Sequence, residues 1–426
     1  MSGTPRILLT AAVFAATLIL VIKRPRGVHE AVWTTCGALL LLALGLIAPA
    51  VALDAVAAGR GALLFLLALL VLSALVEKSG FFEWAAIHAA RRAQGDGRAL
   101  YRNVFVLGAL ITAALSLDTT AVILTPLVLA FVQRLRLPAR PYVLACAFVA
   151  NNGSLFLPVS NLTNLLFAST FRFSFLHFAA RMLAPQLAAL LINYAVFRRL
   201  FARELPASFD AALLPEPASV VPHRGYFRAA AAALGLVLAG YFLAPLAHLE
   251  PYVIGGAGAA ALLVAGVAMG RVRAPIVKEI SWGVFPFVVG LFIVVRAVLD
   301  VGLRQLSATW FARVSPPPPL DVLAPALVTT FASNLINNLP AGLLARETLE
   351  HGHATAPAIY GALLGTNLGP NITLVGSLAT LLVLSSARKK GVELGAKDLL
   401  KAGLVTTPLV LVGAALALSL SFLVVP

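Results

Sequence analysis

Asp118 stands in the run Leu117-Asp118-Thr119-Thr120, with Thr125-Pro126 close behind, inside an otherwise apolar stretch. Two other stretches carry uncharged hydrogen-bonding groups at unusual density. One is Asn151-Asn152-Gly153-Ser154, followed by Pro158 and Ser160-Asn161-Leu162-Thr163-Asn164. The other is Thr366-Asn367-Leu368-Gly369-Pro370-Asn371, followed by Thr373, Ser377 and Thr380. A further cluster is Ser333-Asn334-Leu335-Ile336-Asn337-Asn338-Leu339-Pro340. Glycine lets a helix unwind, proline removes a donor, and Asn, Ser and Thr supply both donors and acceptors. Such groups suit a small neutral polyhydroxylated solute, a Na+ ion held by carbonyls and hydroxyls, or a carboxylate held by helix N-termini. They do not suit catalysis. There is no His, Cys or acidic cluster at ligand spacing, no phosphate-cradling loop and no nucleophile beside a base, so neither an enzyme nor a cofactor is expected. His351-Gly352-His353 is expected in a solvated external loop.

An ionised acid inside a bilayer costs at least about 2.5 kcal/mol unless a proton or cation compensates. Asp118 is therefore the candidate proton or coupling-ion site; the alternative is a structural acid bonded to helix ends. Candidate solute-binding residues are Thr119, Thr120, Asn151, Asn152, Ser154, Ser160, Asn161, Asn164, Asn334, Asn337, Asn338, Asn367, Asn371, Thr373 and Ser377. Arg296, inside another apolar run, is expected to pair with Asp118, bind an anion or reach back to the surface.

These groups must be positioned by membrane helices. The chain has 426 residues, 60% hydrophobic, only 12% charged, with a mean hydropathy of +0.95. That composition excludes an ordinary soluble protein, and apolar runs long enough to cross a bilayer recur throughout. The first, Ile7 to Ile22, reads as a retained span rather than a signal sequence. The net charge of +15 falls in loops between spans, which fits the positive-inside rule and not nucleic-acid binding. Cys36 and Cys146 lie in apolar segments and read as packing residues.

Placing the basic loops in the cytoplasm sets the direction of each span. Between Arg102 and Arg134 the chain must leave and return in about 30 residues, enough only for a re-entrant hairpin bent near Asp118. A second hairpin, of opposite orientation, should bend at Asn334 to Pro340. The expected fold is an all-α polytopic membrane protein of about ten transmembrane helices plus two re-entrant hairpins. The first transmembrane half is residues 1–200, with a hairpin near 103–133 and a broken helix at 141–166. A cytoplasmic linker at 201–227 follows, then the second half at 228–426, with a hairpin near 320–350 and a broken helix at 356–384. Phe81 to Arg92 suits an interfacial helix or a packed loop helix.

An offset of 216 residues aligns Asp118 with Asn334, Asn151 with Asn367, Gly153 with Gly369, and Ser160-Asn161-Leu162 with Gly376-Ser377-Leu378; an offset of 222 pairs Ser79-Gly80 with Val301-Gly302. Because the loop charges orient the copies oppositely, this is the pattern of an inverted-topology repeat and of a secondary transporter with a midplane site.

At this point the sequence resembles the bacterial arsenite and antimonite efflux permeases, part of a larger ion-transporter superfamily that includes sodium/proton antiporters and di- and tricarboxylate carriers. The resemblance covers nearly the whole chain. It rests on Glu77-Lys78-Ser79-Gly80-Phe81-Phe82-Glu83-Trp84, Asp118 with Ile123-Leu124-Thr125-Pro126, Val159 to Asn164, Ser333-Asn334 with Asn337-Asn338-Leu339-Pro340, and Leu368-Gly369-Pro370 followed by Gly376 to Leu382. It implies export of arsenite and antimonite across the inner membrane, driven by a proton gradient or the membrane potential, alone or with a soluble ATPase partner. Trivalent arsenic is a neutral trihydroxide near neutral pH, compatible with an amide- and hydroxyl-rich pocket. Where the family usually carries Asp this chain has Asn151 and Asn367, and where it carries Lys this chain has Asn371, which leaves Asp118 to titrate. A sodium/proton antiporter and an organic-anion carrier of the same superfamily are the rival readings.

Overall fold

The computed structural model describes residues 3–243, 249–303 and 317–425. Its regular elements are helical, with one isolated bridge between Asp96 and Ser208. In chain order α1 (Thr4–Lys23), α2 (Glu30–Ala43), the short α3 (Pro49–Ala58) and α4 (Arg60–Lys78) precede α5 (Phe81–Arg91). The first hairpin is α6 (Gly97–Ala114) and α7 (Leu117–Arg134), and the first broken helix is α8 (Ala139–Asn152) and α9 (Leu162–Thr170). After α10 (Phe175–Leu200) a mostly irregular segment leads to α11 (Arg224–Leu243), α12 (Pro251–Ala268) and α13 (Val284–Val298). The second hairpin, α14 (Leu320–Ile336) and α15 (Asn338–His351), is followed by the second broken helix, α16 (Ala356–Leu368) and α17 (Leu378–Lys389), and by α18 (Ala396–Val424).

Eight helical runs are long and apolar enough to cross a membrane, and one of them, α7, is a hairpin arm. The other seven, with α2 and the two broken helices, make ten crossings among the described residues. The basic loops share one face. Arg140 bonds Glu204 at 2.6 Å and Asp398 at 3.1 Å, Gln133 donates to the Lys390 carbonyl at 2.7 Å, and Arg91 donates to that of Pro215 at 3.0 Å. Lys78 pairs with Glu279 at 2.6 Å, and His29 packs on Gly283.

Helix contacts follow the repeat. α2 packs on α13 while α4 packs on α12, α7 packs on α17 while α15 packs on α9, and α10 meets α18. In the second copy, Gly361, Gly365 and Gly369 let α16 and the turn after it lie against α14. A Cβ on Gly361 or Gly365 would overlap the carbonyl oxygen of Val322 or Ala326, and one on Gly369 would press on Thr330. Close backbone approach through small residues is a common way for membrane helices to gain packing contacts.

The hairpins bend at capping residues. Ser116 is fully extended, and its Oγ accepts from the Thr119 amide at 3.2 Å. Asn337 sits at φ 79° and ψ 151°, a backbone region almost confined to glycine, and its Oδ1 accepts from the Leu339 amide at 3.2 Å. Past the first bend, Thr120–Leu124 forms a π-helical turn. Pro126 lacks an amide hydrogen and crowds the carbonyl four residues back, which accounts for the widened turn.

The repeat offset needs one correction. Asn161 caps α9 and Ser377 caps α17, a separation of 216 residues, but the hairpin caps Ser116 and Asn337 are 221 apart. Asp118 and Asn334 are therefore not equivalent: Asp118 follows its bend and Asn334 precedes its own. The cause is a longer second arm in the first hairpin, 18 residues in α7 against 14 in α15. Arg296 is nowhere paired with Asp118; it bonds Asp300 at 3.1 Å, one turn along. The α5 helix is a packed element: Trp84 stacks on His88 with ring centroids 5.1 Å apart and meets the Phe227 edge.

Candidate functional site

Four helices begin at one place. The N-termini of α7, α9, α15 and α17 converge on a cavity of about 50 Å³ lined by Leu117, Asp118, Asn161, Leu162, Asn337, Asn338, Leu339, Ser377 and Leu378, with Leu66, Val284, Phe287 and Val288 closing one side. Each helix start carries amide hydrogens without intrahelical partners and the positive end of its dipole. Ser116, Asn161, Asn337 and Ser377 each satisfy one such amide. The half-buried Asp118 side chain has no hydrogen bond or ion pair among the described residues. The side-chain amide of Asn338 is likewise unpartnered among them, although its backbone N–H donates to the Gly376 carbonyl at 2.8 Å. The cavity thus offers acceptor oxygens on Asp118 and Asn338 opposite clustered donors, which suits a small solute bearing hydroxyls.

Behind the cavity the two breaks are stitched together by side chains. Asn151 donates to Asn371 Oδ1 at 2.8 Å and to Thr380 Oγ1 at 3.1 Å, and Asn371 donates to Asn152 Oδ1 at 2.7 Å. Asn367 Oδ1 accepts from Ser154 at 2.8 Å and from Asn161 at 2.7 Å, while Asn367 Nδ2 donates to Asn164 Oδ1 at 2.9 Å. Asn164 in turn donates to the carbonyls of Ser154 and Leu157. All of these side chains are buried. In a low-dielectric interior a network of this kind holds its geometry because every broken bond strands a polar atom. One atom is left over: Asn151 Oδ1 is buried without a partner among the described residues.

The fifteen candidate solute-binding residues therefore separate by role in the geometry. Asn161, Asn337, Asn338 and Ser377 border the cavity with Asp118. Asn151, Asn152, Ser154, Asn164, Asn367 and Asn371 face one another across the breaks instead. Asn334 donates to the Gly369 carbonyl at 2.7 Å and accepts from the Thr373 amide at 2.9 Å, so both residues reinforce the second break. Ser160 donates to the Ala113 carbonyl at 2.7 Å. Thr119 and Thr120 bond Ser73 at 3.1 Å and Thr112 at 2.7 Å. Two residues escaped the sequence reading. Gln186 Oε1 accepts from the amides of Leu155 and Phe156, and its Nε2 donates to the Asn152 carbonyl at 2.7 Å. An amide beside Pro185 in an apolar span was the available signal, although Asn193 in the same helix gives a similar one. Ser73, within the apolar α4, gave none. At the far end of α15, the ligand atoms of Glu347, Glu350 and His351 lie within 4.8 Å of one another, and His351, which is exposed, has its Nδ1 2.9 Å from the Glu347 carbonyl.

Known proteins match this architecture along its length. The family profile described as arsenical pump membrane protein matches residues 9–420. The arsenical pump membrane protein of Escherichia coli K12 is 31% identical over 97% of this chain and 99% of its own length. A putative arsenical pump membrane protein of Bacillus subtilis is 24% identical over 93% and 95%. Among solved structures, the YdaH transporter of Alcanivorax borkumensis superposes with a TM-score of 0.57 at 18% identity, covering 84% of each chain. MtrF of Neisseria gonorrhoeae superposes with a TM-score of 0.54 at 14% identity, covering 82% of this chain and 80% of its own. These two likenesses concern the fold alone. With a family match across most of the chain and a relative above 30% identity over nearly its full length, this multi-pass protein belongs to the arsenical pump membrane protein family.

Proposed function

We propose that the protein is a secondary transporter that exports trivalent arsenic and antimony, as neutral trihydroxides, across the inner membrane of a bacterium. The observation that carries this reading is the cavity itself: four helix N-termini, the free amide of Asn338 and the unpartnered carboxylate of Asp118 around a space for a small polyhydroxylated guest. Amide hydrogens donate to hydroxyl oxygens, and Asp118 and Asn338 Oδ1 accept from hydroxyl hydrogens. A neutral solute avoids the cost of carrying charge into the bilayer.

Asp118 supplies the coupling. Ionised, it accepts from the bound trihydroxide and is stabilised by the surrounding helix N-termini; protonated, it loses acceptor capacity and releases the solute. A proton gradient or the membrane potential then drives the cycle. Alternating access follows from rocking of one copy against the other around the fixed cavity. The chain carries no nucleotide-binding loop, and a soluble ATPase partner would meet the basic-loop face.

Expression in an arsenite-sensitive host lacking its own pump tests the reading. Raised tolerance and lowered cellular arsenic are expected. Unchanged tolerance with the protein present in the membrane, or Na+-dependent proton flux or dicarboxylate accumulation in vesicles without arsenite transport, would overturn it.

A further inference from the structure

A second cleft, of about 70 Å³, begins at Asp118 and leads away from the midplane cavity. Its walls are Leu70, Ser73, Ala74 and Glu77 of α4, Thr119, Val122 and Ile123 of α7, Leu378 and Leu382 of α17, and Glu279 to Ser281 with Val284 ahead of and in α13. Asp118 is therefore shared between the two spaces. Ser73 and Thr119, bonded at 3.1 Å, join the α4 and α7 walls beside it. Glu77 lies one helical turn beyond Ser73 on the same face of α4, at the end of the span where the basic loops gather.

Two charged groups accompany Glu77 at the mouth. Lys78 on the same helix pairs with Glu279 from the segment before α13 at 2.6 Å. Glu77 makes no hydrogen bond or ion pair among the described residues, and it is exposed. Asp118, from α7, is the remaining acid facing the cleft. With Lys78 and Glu279 neutralising each other, one uncompensated negative charge remains at the opening. The ion pair also bridges the end of α4 to the segment leading into α13, which are neighbouring walls of the same mouth.

We propose that this cleft is the cytoplasmic access route to Asp118, that Glu77 is its receiving charge, and that the Lys78–Glu279 pair is the latch that sets its width. Glu77 draws protons or cations toward the mouth, and opening the latch widens the path by freeing the α4 end from the Glu279 segment. The idea rests on the transport reading only in naming the route to its coupling residue. Thiol labelling reads that route with no substrate present, so its failure and the failure of arsenite export are separate results.

The experiment places a cysteine at Ala74, inside the cleft, in a Cys36→Ser background, since Cys36 is exposed and Cys146 is buried. Membrane-impermeant thiosulfonates, one cationic and one anionic, are applied to everted and to right-side-out vesicles. Labelling is expected from the basic-loop face only, with the cationic reagent faster by about threefold, the scale of one partly screened charge. Glu77→Gln should bring the two rates together. Replacing Lys78 and Glu279 together, by Met and Gln, keeps the net charge and should speed both reagents several-fold. Leu382→Cys on the facing wall serves as a second reporter should the Ala74 variant not accumulate. Labelling only from the opposite face, none at either reporter while Ser281→Cys at the mouth reacts, a reagent ratio unmoved by Glu77→Gln, or rates unmoved by loss of the pair would each overturn the proposal.

Discussion

The first break is held by a side chain from a neighbouring span: Gln186 of α10 satisfies the Leu155 and Phe156 amides and the Asn152 carbonyl. The second break is held by the hairpin of its own copy, where Asn334 meets the Gly369 carbonyl and the Thr373 amide, and the Thr373 hydroxyl returns a bond to the Asn334 carbonyl at 3.0 Å. The glycine row of α16 presses the same hairpin arm against the same helix. Break two and its hairpin thus form one bonded unit. Break one is tied to α10 and reaches its hairpin through Ser160 and the Ala113 carbonyl. The arm carrying Asp118 is bonded to other elements instead, through Thr119 to Ser73 of α4 and through Gln133 to the Lys390 carbonyl.

Substitutions can break this contrast. The largest effect is expected from Asp118→Asn, which should abolish coupled transport and any dependence on external pH while leaving the melting temperature and membrane yield unchanged; transport assays across pH in vesicles would decide. Next is Asn367→Leu, which strands Ser154, Asn161 and Asn164 at the junction of both breaks. A loss of several kcal/mol is expected at roughly 1–3 kcal/mol per stranded group, visible as a lower melting temperature in detergent. Gln186→Leu, which strands three backbone groups, and Asn334→Leu, which strands two, should each cost a few kcal/mol by the same reasoning, but only the Asn334 variant should increase hydrogen exchange in α14 and α16 together. Asn151→Asp should destabilise as an unpaired buried charge, and Asn371→Lys added to it should recover most of the loss, since the two side chains are 2.8 Å apart. A double-mutant cycle measures the recovery. Arg296→Ala is the smallest, within about 1 kcal/mol, because its ion pair with Asp300 is partly exposed.

Much of the fold was legible because the bilayer permits few solutions. Spans follow from hydropathy, orientation from Lys and Arg in loops, and breaks from Gly, Pro and Asn within apolar runs. The equivalence of Asp118 and Asn334 was misread because one offset fits the breaks while the hairpins follow another, displaced by the longer α7 and its π turn. Amide-rich composition marked the breaks but could not separate residues that bond one another, such as Asn151 and Asn371, from residues left facing space, such as Asn338. That distinction depends on side-chain direction across 220 positions of sequence. Gln186 was missed because α10 also carries His177, Arg181 and Asn193, so one more polar side chain in that helix leaves no separate trace.

The unequal hairpin arms carry a thermodynamic corollary. In the alternating-access cycle proposed above, two identical copies inserted in opposite directions would make the inward- and outward-facing forms equivalent by a two-fold rotation and equal in free energy, so the resting protein would divide evenly between them. An arm with extra length and an acid just past its bend, where the other copy has Leu339, removes that degeneracy. The empty carrier should consequently wait on a preferred side of the membrane, and occupancy of Asp118 should set how strongly it does so.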